Sequence, residues 1–231
     1  YLARVIGVDS FGKIAFASAV IVWFKTITDW GFNFTATRDV AKNRNDKKKV
    51  SGVFSNVLWA KIFLMVLSFI LLWVAIYTIP QFRENSTILL ITFLLIPGKI
   101  LFPEWFFQAI ERMKYITVLD VLSKLIFTLF VFVFIKKKSD FILQPLFMTM
   151  GYIVSGVITF YIITVKWKVK IHKPSLRSIF LTIKGSTDIF INNIMPNFYN
   201  SFSTILLGFW GGSVSNGLLD AGGKFVSISQ Q

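Results

Sequence analysis

The chain has 231 residues, of which 55% are hydrophobic and 17% aromatic, including 26 Phe, and it carries a formal charge of +14. Its mean hydropathy is +0.66, and its apolar runs exceed the roughly 20 residues needed to cross about 30 Å of hydrocarbon, which excludes a soluble globular domain. Most Lys and Arg lie between apolar spans, where they orient a membrane protein; the charge is therefore no argument for nucleic-acid binding. Without cysteine there is no disulfide and no thiolate metal site. The alternation of a β-barrel is missing. The expected fold is an all-α polytopic membrane protein with about six complete transmembrane helices plus two partial ones.

In chain order, residues 1–11 predict the end of a preceding helix and a short turn, followed by a first span from about Gly12 to Phe34. It carries Lys25 and Asp29 four residues apart, on one helical face. A basic loop from Thr35 to Lys49 leads to a second span, about Val53–Ile79, with Lys61 near its first turns and free to snorkel to the interface. The third span, about Ser86–Phe107, contains Pro97, Gly98, Lys99, Pro103 and Glu104. Proline removes a backbone donor, and a charge inside hydrocarbon costs on the order of 3 kcal/mol. A helix tolerating all five is expected to face other helices or a wet cavity. The following W-F-F-Q-A-I-E-R-M-K reads as an interfacial aromatic and basic exit.

A fourth span covers about Thr117–Ile135, with Asp120 and Lys124 as an interfacial pair, and a fifth about Phe141–Val165. The loop Lys166–Arg177 continues amphipathically through Lys184. The sixth span, from near Ser186 to before Gly211, is the most polar, holding Asp188, Asn192, Asn193, Pro196, Asn197, Tyr199 and Asn200. Asp188 fits equally a helix N-cap or a cavity acid, and the asparagines could simply bond neighbouring helices. Residues 212–231 begin one more helix. Gly7 and Gly12 before the first span echo Gly212 and Gly217 before the last, at the same spacing. The positive-inside bias places the loops around residues 38–49, 112–114 and 166–184 in the cytoplasm, against the counter-signal of Lys136, Lys137 and Lys138 outside.

Enzyme signatures are missing. His172 lies alone in a basic loop, no metal-ligand spacing occurs, and there is neither a P-loop nor a G-x-S-x-G. The informative residues are polar ones at membrane depth. At 1.5 Å per residue, Lys25 and Lys99 each lie about 20 Å from the outer ends of their spans, and Asn197 about 15 Å from the inner end of its own. Exposure to hydrocarbon would penalise each separately, so a shared aqueous lumen is the cheaper arrangement. Lys25, Lys99, Asn193, Asn197 and Asn200 are the candidate lumen residues, and two lysines favour anionic cargo. Asp29, Glu104 and Asp188 are candidates for proton or cation coupling. Lys25 and Asp29 neutralising each other is the simpler structural alternative.

R-V-I-G-V-D-S-F-G at Arg4–Gly12, D-W-G-F-N-F-T-A-T-R-D-V-A at Asp29–Ala41 and F-P-E-W-F-F-Q-A-I-E-R-M-K-Y-I-T at Phe102–Thr117 resemble the bacterial polysaccharide flippases. These are the O-antigen repeat-unit transporters of the Wzx type, within the multidrug/oligosaccharidyl-lipid/polysaccharide exporter superfamily. The resemblance implies a protein of about twelve helices in two bundles in the bacterial inner membrane. It would flip undecaprenyl-pyrophosphate-linked oligosaccharide to the periplasmic leaflet by alternating access, for O-antigen or capsular polysaccharide synthesis. On that reading, residues 1–210 form the first bundle, with its first helix mostly missing, and 211–231 a truncated start of the second. The implied partners are the lipid-linked oligosaccharide, membrane lipids, a polysaccharide polymerase and a chain-length regulator; no cofactor, metal or nucleic acid is called for. The family pattern G-x-Y-x-A-A-x-K reads here Gly217-Leu-Leu-Asp-Ala-Gly-Gly-Lys224, a departure. The alternatives are a drug/cation antiporter of the same superfamily, which would want an acidic lumen, a membrane-embedded glycosyltransferase or polymerase, which would want a large loop, and a non-functional remnant.

Overall fold

The computed structural model describes residues 1–229, and the side chains of all of these but 3, 197–200, 221 and 224–229. Every regular element in it is helical: α1 (Leu2–Asp29), α2 (Phe32–Lys42), α3 (Lys47–Thr78), α4 (Pro80–Glu84), α5 (Ser86–Phe93), α6 (Leu95–Leu101), α7 (Glu104–Ala109), α8 (Met113–Phe134), α9 (Leu143–Tyr161), α10 (Leu176–Lys184), α11 (Thr187–Trp210) and α12 (Gly212–Ser229). Five stretches among the described residues are long and apolar enough to cross a membrane: Arg4–Lys42, Lys47–Thr78, Ser86–Ala109, Met113–Phe134 and Lys138–Lys166. The 24-residue α11, apolar over Ser201–Trp210, is the sixth long helix of the expected set. The protein is an all-α, multi-pass membrane protein. Its outer face is greasy, as lipid contact requires: Ile70, Trp73 and Val74 on α3 and Leu125, Leu129 and Val133 on α8 are all exposed.

One expectation from the sequence is met here and another needs correction. Residues 1–11 hold the helix end and turn that the sequence predicts: the helix is interrupted at Gly7, whose φ of 80° and ψ of 162° only glycine adopts without strain, and α1 continues from there into the first span. The basic stretch after Phe34 is not a loop through Lys49, because its first half is α2. There Phe32, Thr35, Ala36 and Val40 are buried at helical spacing, while Arg38, Asp39 and Lys42 ride the outer face. The charge density of that outer face hid the apolar stripe. Only residues 43–46 separate α2 from α3, which Asp46 caps by accepting from the backbone N–H groups of Lys48 and Lys49 at 3.0 and 3.1 Å.

The third span is broken, as its prolines predict. α5 ends at Phe93, where Pro97 supplies no N–H to continue the ladder, and the chain kinks again at Phe102–Pro103 before α7. The W-F-F run faces inward. Trp105, Phe106 and Phe107 are 2%, 1% and 0% exposed and form a core with Phe32, Phe54 and Phe102. A polar anchor fixes this core, since Thr37 donates its hydroxyl to the Trp105 carbonyl at 3.2 Å. A second core gathers Phe16, Leu72, Phe82, Leu89, Ile96 and Ile135. Lys25 and Asp29 fall between Ile21 of this second core and Phe32 of the first, and Lys99 lies beside the changeover between Ile100 and Phe102. The intramembrane charges thus sit where one apolar core gives way to the other.

Candidate functional site

Between α1 and α2 the backbone turns through Trp30 (φ 40°) and Gly31 (φ 75°), both left-handed. At Gly31 a side chain is also excluded by space, because a Cβ would lie 2.8 Å from Ile189. Trp30 stacks on Phe190 with ring centroids 3.9 Å apart, and its indole N–H donates to the Thr187 hydroxyl at 3.4 Å. This elbow lays the end of α1 against the start of α11. It aims Asp29 and Asn33 at α3, where Lys61 donates to the Asp29 carboxylate at 2.8 Å and to the Asn33 amide oxygen at 3.3 Å. Lys61 does not snorkel to an interface. It is buried at 5% exposure, held inward by a carboxylate that the chain order alone does not pair with it. Lys61 is the candidate-site residue not legible from the sequence, and Asn33 within the D-W-G-F-N motif was the available signal.

Lys99 is brought in by close helix packing. At Gly156 of α9 a Cβ would lie 2.7 Å from the Leu101 side chain, and at Gly98 of α6 it would lie 3.2 Å from Tyr152. Glycine at both positions lets α6 and α9 touch, which puts the Tyr152 ring under Lys99 with the Nζ 4.0 Å from its centroid. Across the Phe102–Pro103 kink Lys99 donates to Glu104 at 3.0 Å. An acid partner one turn away was not expected; the kink brings one from five residues on. Asp120 and Lys124 pair at 2.8 Å along α8, as their i,i+4 spacing suggests.

The Lys61–Asp29 and Lys99–Glu104 pairs border two neighbouring cavities. The smaller, about 110 Å³, is lined by Lys25, Asp29, Asn33, Lys61, Lys99 and Glu104 together with Phe102, Pro103 and Trp105. The larger, about 260 Å³, shares Lys25, Asp29 and Asn33 and adds Phe190, Asn193 and Pro196 of α11. Three lysines and two carboxylates therefore line one polar region, leaving a net positive charge. Lys61 and Lys99 are engaged by acids; Lys25, exposed to the cavities, has no ion pair among the described residues. Lys25 and Asp29 share the cavity wall, but the carboxylate is committed to Lys61.

Of the candidate residues, the structure brings together Lys25, Asp29, Lys99, Glu104 and Asn193. Asp188 stands in the first turn of α11, exposed and away from both cavities, and makes no N-cap hydrogen bond, the N-cap being Ser186. The side chains of Asn197 and Asn200 lie outside the described residues. No cluster of three or more His, Cys, Asp or Glu suited to a metal occurs among the described residues.

A family model described as polysaccharide biosynthesis protein matches residues 1–231. A protein of Escherichia coli (strain K12) named "Putative O-antigen transporter" is 28% identical over 221 residues, covering 96% of this chain and 53% of that protein. A protein of the same name from Shigella dysenteriae is 23% identical over 232 residues, covering 100% of this chain and 58% of that protein. The chain thus spans little more than half the length of these relatives. No solved structure matches it significantly. Matched over its whole length by the family model, and built from apolar helices that converge on buried charge, the chain belongs to the polysaccharide biosynthesis protein family.

Proposed function

We propose that this chain is part of a transporter, not an enzyme, that moves undecaprenyl-pyrophosphate-linked oligosaccharide repeat units across the bacterial inner membrane by alternating access. The observation that carries this reading is the convergence of Lys25, Lys61 and Lys99 on one intramembrane polar region with only two acids. A pyrophosphate there would meet the unpaired Lys25 directly, in a medium whose effective dielectric is well below that of water. Lys99, held by both Glu104 and the Tyr152 ring, is positioned to exchange its carboxylate for a phosphate oxygen. Protonation of Asp29 or Glu104 would free Lys61 or Lys99, which makes these two acids the coupling candidates and leaves Asp188 with a weaker case. A cation or drug antiporter would need acids not already neutralised, so the basic balance favours the anionic cargo.

With the basic ends of α2, α3 and α10 in the cytoplasm, loading would occur on that side and release into the periplasmic leaflet, where a polymerase and chain-length regulator would receive the product. The test is complementation: the protein carrying this chain, expressed in a strain lacking its flippase, should restore surface polysaccharide. Lipid-linked repeat units retained in the cytoplasmic leaflet despite normal membrane insertion would overturn the reading.

A further inference from the structure

Twelve residues from Lys25 along α1, about 18 Å away, Lys13 borders a separate cavity of about 470 Å³ between α1, the α3–α5 turn and α12. Its chemistry differs from that of the lysine region. The polar wall is made of the amides of Gln81, Asn85 and Asn216 and the hydroxyls of Thr87 and Ser213. Lys13 is engaged by Asp9 at 3.1 Å, while Glu84 has no ion pair among the described residues, so nothing here favours an anion. Phe16 and Phe141 supply the apolar surface.

Asn216 is the decisive residue. It is 0% exposed, and neither its amide nitrogen nor its amide oxygen has a hydrogen-bond partner among the described residues. Buried amides are nearly always satisfied, because leaving one unpaired forfeits its hydration without return. The position is held there by close helix packing. A Cβ on Gly217 would lie 2.5 Å from the Val8 carbonyl oxygen, and one on Gly12 would collide with the Ser213 backbone, so α12 is pressed against α1 with the neighbouring Asn216 turned inward. Of the groups around it, Asn85 already donates to the Gln81 carbonyl at 2.9 Å and Ser213 to Asp9, so Asn216 is the group left to satisfy. A partner for this amide must both donate and accept. Adjacent hydroxyls on a neutral ring do this, and the C–H faces of such a ring suit the phenylalanines.

We infer that this cavity is a binding subsite for a neutral polyhydroxylated ligand, with Asn216 as its recognition residue. Resting on the transport reading, it assigns the cavity to the sugar portion of the cargo, apart from the lysine region that would hold the pyrophosphate.

The experiment uses the protein carrying this chain in nanodiscs, with two probes measured by calorimetry. One is lipid-free repeat-unit oligosaccharide, released from the host polysaccharide; the other is citronellyl pyrophosphate, which has no sugar. Asn216→Leu should weaken oligosaccharide binding by about ten-fold, the loss of two neutral hydrogen bonds, with citronellyl pyrophosphate binding unchanged. Its melting temperature should equal or exceed that of the wild type, since an unpaired amide has been removed. Gln81→Leu, at a half-buried position on the helix turn, should weaken oligosaccharide binding by a smaller factor and serves if Asn216→Leu does not fold. Wild-type oligosaccharide affinity in Asn216→Leu, or in Gln81→Leu should that be the only folded variant, would overturn the inference while leaving the transport reading intact. Failure of the wild-type protein to bind citronellyl pyrophosphate would instead count against the transport reading.

Discussion

Replacing Lys61 by Met tests whether Asp29 depends on it. The Lys61 Nζ and Asp29 Oδ1 are 2.8 Å apart, and at an effective dielectric near 20 their gross attraction is about 6 kcal/mol. Removing one partner of a buried pair costs about 3–5 kcal/mol, because the remaining charge keeps its burial but loses its counterion. The Asp29 side chain is 28% exposed, against 7% for Lys61, so cavity water offsets part of this and the lower end, about 3 kcal/mol, applies. For a chain of this size, each kcal/mol corresponds to about 2–4 °C in Tm, giving a fall of about 6–12 °C. Asp29→Asn combined with Lys61→Met removes both charges and should lose about 1–2 kcal/mol, less than Lys61→Met alone. Thermal unfolding in detergent, followed by tryptophan fluorescence, reads the wild type and both variants. If Lys61→Met melts with the wild type, or the double variant is the least stable of the set, Lys61 is not the counterion of Asp29.

Gly156→Val would drive its side chain into Leu101, and should cost about 1–3 kcal/mol by overpacking and lower Tm; an unchanged Tm would refute the close α6–α9 contact. Tyr152→Phe keeps the ring beneath Lys99 and should preserve transport, whereas Tyr152→Leu removes a contact of about 2 kcal/mol and should impair it; equal effects of the two would show that the phenol hydroxyl matters instead. Because the chain has no cysteine, single cysteines at positions 42 and 173 can be introduced without background from it. Both should react with a membrane-impermeant maleimide only after the cells are opened, and labelling at 42 in intact cells would reverse the proposed orientation.

Hydrophobic run length was enough to place the long helices, and the two prolines of the third span correctly announced its breaks. α2 escaped notice because Arg38, Asp39 and Lys42 dominate its composition, although its buried stripe follows helical spacing. Depth along each helix put Lys25 beside Lys99, and the two line one cavity. Rotation about the helix axis and pairing between helices were not legible, and these decide the rest of the site. Lys61 reads as a surface lysine until α1 and α3 are packed, and Glu104 reads as unrelated to Lys99 until the chain kinks between them. Asn216 carried no signal, since an amide early in a helix becomes unusual only when its surroundings leave it buried and unpaired. The echo of Gly7 and Gly12 in Gly212 and Gly217 did carry information. Gly12 and Gly217 lie on the two faces where α1 and α12 meet.

A cationic intramembrane region, on the proposed reading, carries a pyrophosphate-linked cargo. The most direct test of this is translocation in proteoliposomes containing the protein and its lipid-linked repeat unit, comparing wild type with Lys25→Gln/Lys99→Gln. The wild type should transfer efficiently, and the double variant should lose at least ten-fold at equal reconstitution, corresponding to about 1.4 kcal/mol or more of cargo contact. Transfer by the double variant at the wild-type rate would contradict that reading.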